Sequence, residues 1–197
     1  MNEFDLAGYM IFAFVTSITP GPNNLLLLAC GKQSGIKGSL RLMLGIFIGF
    51  STLLYISGYG ITAIITINHT VEIIFKIISS IWLFYLAIIM SKINTTGSND
   101  SKHKIGIIPG FFMQFVNPKA WIMAIGGASA FLPHFHNIHW NVFVFTFTFG
   151  IAGIPCMISW VLFGDLFSKI IKSEKSNRIL GYVLFLLMIS CIIMIWI

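Results

Sequence analysis

Thr19-Pro20-Gly21-Pro22-Asn23-Asn24 sets two prolines, a glycine and two asparagines into an otherwise apolar segment. A helix in hydrocarbon must satisfy its own backbone, whereas prolines remove donors and Gly21 loosens the turn. The stretch therefore predicts a broken helix. Such a break survives at membrane depth where neighbouring protein or a water-filled cavity takes up the freed carbonyls, which makes it a candidate binding place. A counterpart, Gln114-Phe115-Val116-Asn117-Pro118-Lys119-Ala120-Trp121, stands near the start of the second half, with Pro118 98 positions after Pro20 in a chain of 197. Each half thus opens with one interrupted helix.

The surroundings of these two stretches set the solvent. With 57% hydrophobic and 9% charged residues and a mean hydropathy of +0.92, the chain is too apolar for a water-soluble domain of its size. It reads as an all-α integral membrane protein. A crossing needs about 20 apolar residues, and the uncharged runs place six spans at 6–31, 42–65, 71–91, 107–131, 141–164 and 179–197. They form one membrane domain: a three-helix half (1–93), a polar linker (94–104) around Asn94 to Ser101, and a second half (105–197). Gly31 to Gly38, between the first two spans, reads as a turn.

Basic residues of short loops resist translocation and so fix orientation. Lys32, Lys37, Arg41, Lys92, Lys102, Lys104, Lys169, Lys172, Lys175 and Arg178 all fall on one side of the six spans. The other side carries Glu3, Asp5, Glu72 and a histidine-bearing turn, with Lys76 nearby. Both termini are therefore expected outside a bacterial cytoplasmic membrane. The net charge of +6 follows from this rule and from attraction to anionic lipid, so no nucleic-acid partner is implied. Glu3 and Asp5 stand where a signal peptide would be basic, so the first span is expected to stay. Cys30, Cys156 and Cys191 are isolated and read as packing residues, with no metal or cofactor implied.

Three spans per half mean that the second half enters the bilayer in the opposite direction from the first. Two inverted three-helix repeats, each opening with a broken helix, are an arrangement from which secondary transporters build alternating access. The second spans of the two halves carry Gly45-x-x-x-Gly49 and Gly150-x-x-Gly153 with Pro155, which read as close-packing helix faces, with direct substrate contact as the other reading. Such faces leave room for a homodimer.

Ile18-Thr19-Pro20-Gly21-Pro22-Asn23-Asn24, the Ser34-Gly35 turn, the Gly45/Gly49 span and Gln114 to Trp121 together resemble the LysE/RhtB family of bacterial amino-acid exporters. Through Asn23-Asn24 and Gln114-Phe115-Val116-Asn117 the resemblance points to the cysteine/O-acetylserine branch. It implies export of small amino acids or their derivatives, cysteine/O-acetylserine-like or threonine/homoserine-like, driven by proton antiport.

The residues can be weighed for that task. A zwitterion needs donors for its carboxylate and acceptors for its ammonium, and a broken helix has both. Amides after Pro22 would face the carboxylate; carbonyls freed before Pro20 and Pro118 would face the ammonium. Asn23, Asn24 and Asn117 read either as helix caps alone or as caps that also touch substrate. Gln114, one turn before Asn117, reads as a site residue or as a helix-helix hydrogen bond. The candidate substrate site is thus Thr19, Pro20, Gly21, Pro22, Asn23, Asn24, Gln114, Asn117, Pro118 and Lys119.

Lys119 is the one charge within a long uncharged run. It is either held inside span four, at a cost of several kcal/mol for the charged form, or snorkels to the inner surface. A lysine in a low-dielectric cavity gives up its proton more readily, so Lys119 is a proton-coupling candidate. Asp165, at the end of span five, is its nearest acidic partner and the second such candidate, or an ordinary solvated helix end. His134, His136 and His139 have metal-like spacing but read as exposed loop histidines. A thiol-redox membrane transporter of the cytochrome-biogenesis type is the alternative class; it needs a cysteine in each of spans one and four, and span four has none. No residue set supports an intramembrane enzyme.

Overall fold

A computed structural model describes residues 4–60, 69–92, 105–135, 137–171 and 173–196. The linker 94–104, the end of the second expected span, His136 and Ile197 lie outside them. Among the described residues all regular structure is helical: α1 (Leu6–Ile18), α2 (Pro22–Gly58), α3 (His69–Lys92), α4 (Ile107–Phe115), α5 (Pro118–Phe131), α6 (Ile138–Ile170) and α7 (Glu174–Trp196). Breaks separate α1 from α2 and α4 from α5, where the two proline-asparagine stretches stand. Four helices, α2, α3, α6 and α7, are long and apolar enough to cross a membrane, while α1 and α4 are shorter apolar helices.

The helix starts follow from their capping residues. Asp5 accepts a hydrogen bond from the Gly8 amide (2.9 Å) and opens α1, and Asn137 accepts from the amides of His139 and Trp140 to open α6. Pro22 and Pro118 take first-turn positions, where their missing N–H removes no helical bond.

The expected turn from Gly31 to Gly38 is tighter than an eight-residue loop. Helix runs through this stretch except at Gly35, whose φ of 63° and ψ of −170° suit glycine alone. A straight helix would hold Asn24 and Phe50 about 39 Å apart. Both line one cavity, so α2 folds back at Gly35 into two arms, α2a (22–34) and α2b (36–58). Ser39 Oγ donates to the Gly35 carbonyl across the reversal (2.9 Å).

Glycine lets these arms sit backbone to backbone with their neighbours. On α2a a Cβ at Gly31 would strike the Val161 carbonyl of α6, and one at Gly164 of α6 would strike the Leu28 carbonyl. On α2b, Gly45 and Gly49 lie on the backbone of α4 at Ile107 and Phe111. The Gly45-x-x-x-Gly49 face is therefore a packing face. α3 and α7 pack mainly on each other, joined by the Trp196 indole donating to Ser80 Oγ (3.0 Å).

Two apolar cores result. One joins Leu25 to Cys30 of α2a with Leu42 and Ile46 of α2b, Met113, Val161 and residues of α3 and α7. The other surrounds Tyr9, whose ring stacks on Phe145 at 4.9 Å and whose hydroxyl donates to the Phe145 carbonyl (3.0 Å), with Ala13, Leu53, Ala120, Ala124 and Phe149. Side chains such as Ile81, Ile108, Ile122 and Met194 point outward, as expected of a surface solvated by lipid tails.

Candidate functional site

The end of α1 is a helix terminus in apolar surroundings, and every backbone carbonyl from Val15 to Pro20 has a partner. Val15 O accepts from the Thr19 amide (3.2 Å) and Thr16 O from Thr19 Oγ1 (2.9 Å). Asn24 Nδ2 donates to Ser17 O and Thr19 O, both at 2.7 Å. The Trp160 indole of α6 reaches Ile18 O (3.1 Å). Lys119 Nζ then donates to Thr19 O (2.7 Å), Thr19 Oγ1 (2.8 Å) and Pro20 O (3.2 Å). A bare carbonyl in hydrocarbon costs several kcal/mol, which is why so many side chains converge here.

Asn23 and Asn24 do not cap the half-helix that follows them. The cap position of α2 is Gly21, which has no side chain to offer, and both asparagines sit inside the first turn. Asn24 instead turns back to the carbonyls of α1. Asn117 does cap: it precedes α5 and its Oδ1 accepts from the Lys119 amide (3.2 Å).

The two breaks are tied together by amides. Asn23 Nδ2 donates to Gln114 Oε1 (2.7 Å), while Asn23 Oδ1 accepts from Gln114 Nε2 (3.2 Å) and Asn117 Nδ2 (3.1 Å). Gln114 Nε2 also donates to Gly110 O (3.0 Å). Gln114 is fully buried and does not line the cavity, so it is a helix-helix clamp. Trp121 holds the last carbonyl of α4, Phe115 O, at 3.0 Å.

Between the two cores, where the breaks meet, lies a cavity of ≈ 70 Å³. At ~15 Å³ for each water, that is room for about five, the scale of a small amino acid. Its polar wall includes Thr16, Ser17, Asn23, Asn24, Asn117 and Lys119; Phe47, Phe50, Leu54, Met123, Phe149 and Met157 make the apolar one. Of the expected site residues, Gly21, Asn23, Asn24, Asn117 and Lys119 line it. Thr19 and Pro20 meet it through Lys119, whereas Pro22, Gln114 and Pro118 shape it from outside.

Several lining residues were not singled out by sequence. Phe47, Phe50, Leu54 and Met123 look like any lipid-facing or core residue in an apolar run. Gly150 and Gly153, expected to pack helices, border the cavity beside Phe47 and Ser17. Trp160 gave no signal, since its role depends on the fold bringing α6 to the end of α1.

Lys119 does not pair with Asp165. Its stem passes over Gly21, where a Cβ would collide with Lys119 Cδ, and its ammonium sits on the carbonyls expected to receive a substrate ammonium. Asp165 pairs with Lys169 one turn along α6 (2.8 Å) and lies away from the cavity. Exposed His139 bonds the Tyr59 hydroxyl.

An all-helical membrane protein with a polar cavity at two helix breaks is built as a translocator of small molecules. The chain belongs to the LysE type translocator family, which matches residues 14–194. It is similar to the cysteine/O-acetylserine efflux protein of Salmonella paratyphi A, with 26% identity over 200 residues and 100% of both chains covered. The protein of that name from Escherichia coli O139:H28 is 26% identical over 97% of both chains, and that from Klebsiella pneumoniae 25% over 94%. No solved structure matches the chain significantly.

Proposed function

We propose that the chain exports small neutral amino acids or their derivatives, of the cysteine and O-acetylserine kind, from the cytoplasm by proton antiport. The observation that carries this reading is the cavity itself: an ammonium, amides and backbone carbonyls converge at two breaks, in a space sized for a small zwitterion. Relatives of matching length named as cysteine/O-acetylserine efflux proteins support the substrate class.

In this reading α1 with α2a, and α4 with α5, are broken spans. With α2b, α3, α6 and α7 they make six spans in two inverted halves, both termini outside. A periplasm-active reporter fused after Ile197 is then active and one fused near Gly97 silent; the reverse pattern overturns the orientation. Lys119 is the coupling residue, charged when it holds a carboxylate and neutral when it lets go. Asp165, bonded to Lys169 at a helix end, is the weaker candidate. A thiol-redox carrier is disfavoured because residues 105–131 contain no cysteine.

Efflux of labelled amino acids from loaded vesicles, with and without a pH gradient, tests the proposal. Cysteine and O-acetylserine are expected to leave fastest, and faster with the gradient. Lys119→Arg, which keeps its charge at every accessible pH, should still exchange substrate yet ignore the gradient. Export of none of the panel overturns the reading.

A further inference from the structure

Lys119 places a primary ammonium on acceptors that would suit the ammonium of an amino acid. We propose that Thr19 O, Thr19 Oγ1 and Pro20 O form the α-ammonium subsite, that Lys119 Nζ fills it in the empty protein as a tethered stand-in, and that arriving substrate displaces it. This rests on the exporter reading above and adds to it a subsite and an order of events.

The geometry matches one ammonium to another. An ammonium donates three hydrogen bonds, and Nζ has three oxygens at 2.7, 2.8 and 3.2 Å. An α-ammonium brings the same three donors. Most of the frame stands without Lys119: Asn24 holds Ser17 O and Thr19 O, Trp160 holds Ile18 O, and Thr19 Oγ1 is fixed by donating to Thr16 O. The subsite therefore keeps its shape while one cation replaces the other.

Charge gives the displaced ammonium a destination. Lys119 bonds neutral oxygens, and among the described residues no carboxylate pairs with it; Asp165 and Glu174 are engaged by Lys169 and Arg178. A carboxylate is the stronger partner, and a zwitterion brings one into the same cavity. Binding is then a swap: substrate ammonium onto the carbonyls, Lys119 onto the substrate carboxylate. Release reverses the swap: Lys119 loses its proton as it lets the carboxylate go, regains one, and returns as an ammonium to carbonyls that would otherwise stand bare. The swap also sets specificity. A free α-ammonium is required, and a second positive charge on the substrate would meet Lys119.

Lys119→Ala removes the atoms of one n-propylammonium ion, so that ion is the probe for the purified, full-length protein. It should raise the Tm of Lys119→Ala with concentration and leave the parent unmoved. Tetramethylammonium, which has no N–H donor, should move neither. O-acetyl-L-serine should compete with n-propylammonium for the variant, whereas N-acetyl-L-serine, whose nitrogen is not an ammonium, should not. If Lys119→Ala does not fold, Lys119→Met retains a stem over Gly21 and lacks Nζ, and the ammonium ion replaces n-propylammonium as probe. Equal effects on parent and variant, no effect on the variant, or simultaneous binding of O-acetyl-L-serine and the alkylammonium would overturn the subsite. Vesicles that export the amino acid while this competition fails sink the subsite alone; vesicles that export nothing remove the exporter reading and the subsite with it.

Discussion

The break at Thr19 to Pro22 and the break at Val116 to Pro118 look alike in sequence but are satisfied in different ways. The second is largely closed by its own neighbourhood: Asn117 caps α5, the Val116 and Asn117 amides bond back into α4, and Trp121 of the next turn takes Phe115 O. The first depends on distant chain. Its carbonyls are held by Trp160, 142 residues away, and Lys119, 100 residues away, as well as by Asn24. The reason is local. Gly21 stands where Asn117 stands in the second break and offers no side chain, while a Cβ there would strike the Lys119 stem. One break is therefore a preformed scaffold, and the other is completed by what reaches into it. In the proposed swap, the substrate takes the place of one of those visitors.

This contrast can be broken by mutation. The largest effect is expected from Pro20→Ala with Pro22→Ala. A proline in a helix interior costs about 3 kcal/mol, so removing both lets α1 run on into α2a, closing the gap that receives Lys119. Labelled amino-acid efflux should be lost while the protein still inserts at the parental level in membranes. Normal efflux would mean the first break is dispensable.

A smaller effect separates the breaks directly. Asn24→Ala leaves Ser17 O without its partner and Thr19 O with Lys119 alone, at about 1–3 kcal/mol for an unsatisfied buried group. Asn117→Ala loses a helix cap, about 1 kcal/mol, and one bond to Asn23. Thermal unfolding in detergent should therefore show the larger drop for Asn24→Ala. The opposite order would make the second break the dependent one.

The smallest effects test what the breaks share. Trp121→Phe and Trp160→Phe each remove an indole bond to the last carbonyl of a half-helix, Phe115 O and Ile18 O. Each should lower stability by roughly 1 kcal/mol, and the two Tm shifts should be similar. A marked inequality would show that one indole is a packing residue rather than a cap.

Much of this was legible in the residues. Prolines without donors, in a chain too apolar for water, place two breaks in membrane-type helices whatever the partners, because backbone geometry is a local property. Asn117 as a cap was likewise local, since it reaches an amide two residues on. The misplacement of Asn23 and Asn24 has a physical cause: the same side chains can bond forward or backward, and the choice is made by which carbonyls lack partners after packing. The turn before α2b was legible as a turn, but its compression into Gly35 follows from the fit of α2a and α2b against α6 and α4.

What the sequence determined by itself is the solvent, the helical class and the positions of the breaks, all of which depend on composition and on residues adjacent in the chain. What the tertiary structure alone decided is who satisfies whom. Gln114 became a clamp rather than a cavity wall, Asp165 bonded Lys169, and Lys119 came to rest on Thr19 and Pro20. Those pairings join residues about a hundred positions apart, and no local propensity encodes them; they exist because two helix breaks that cannot satisfy all their own carbonyls are packed side by side.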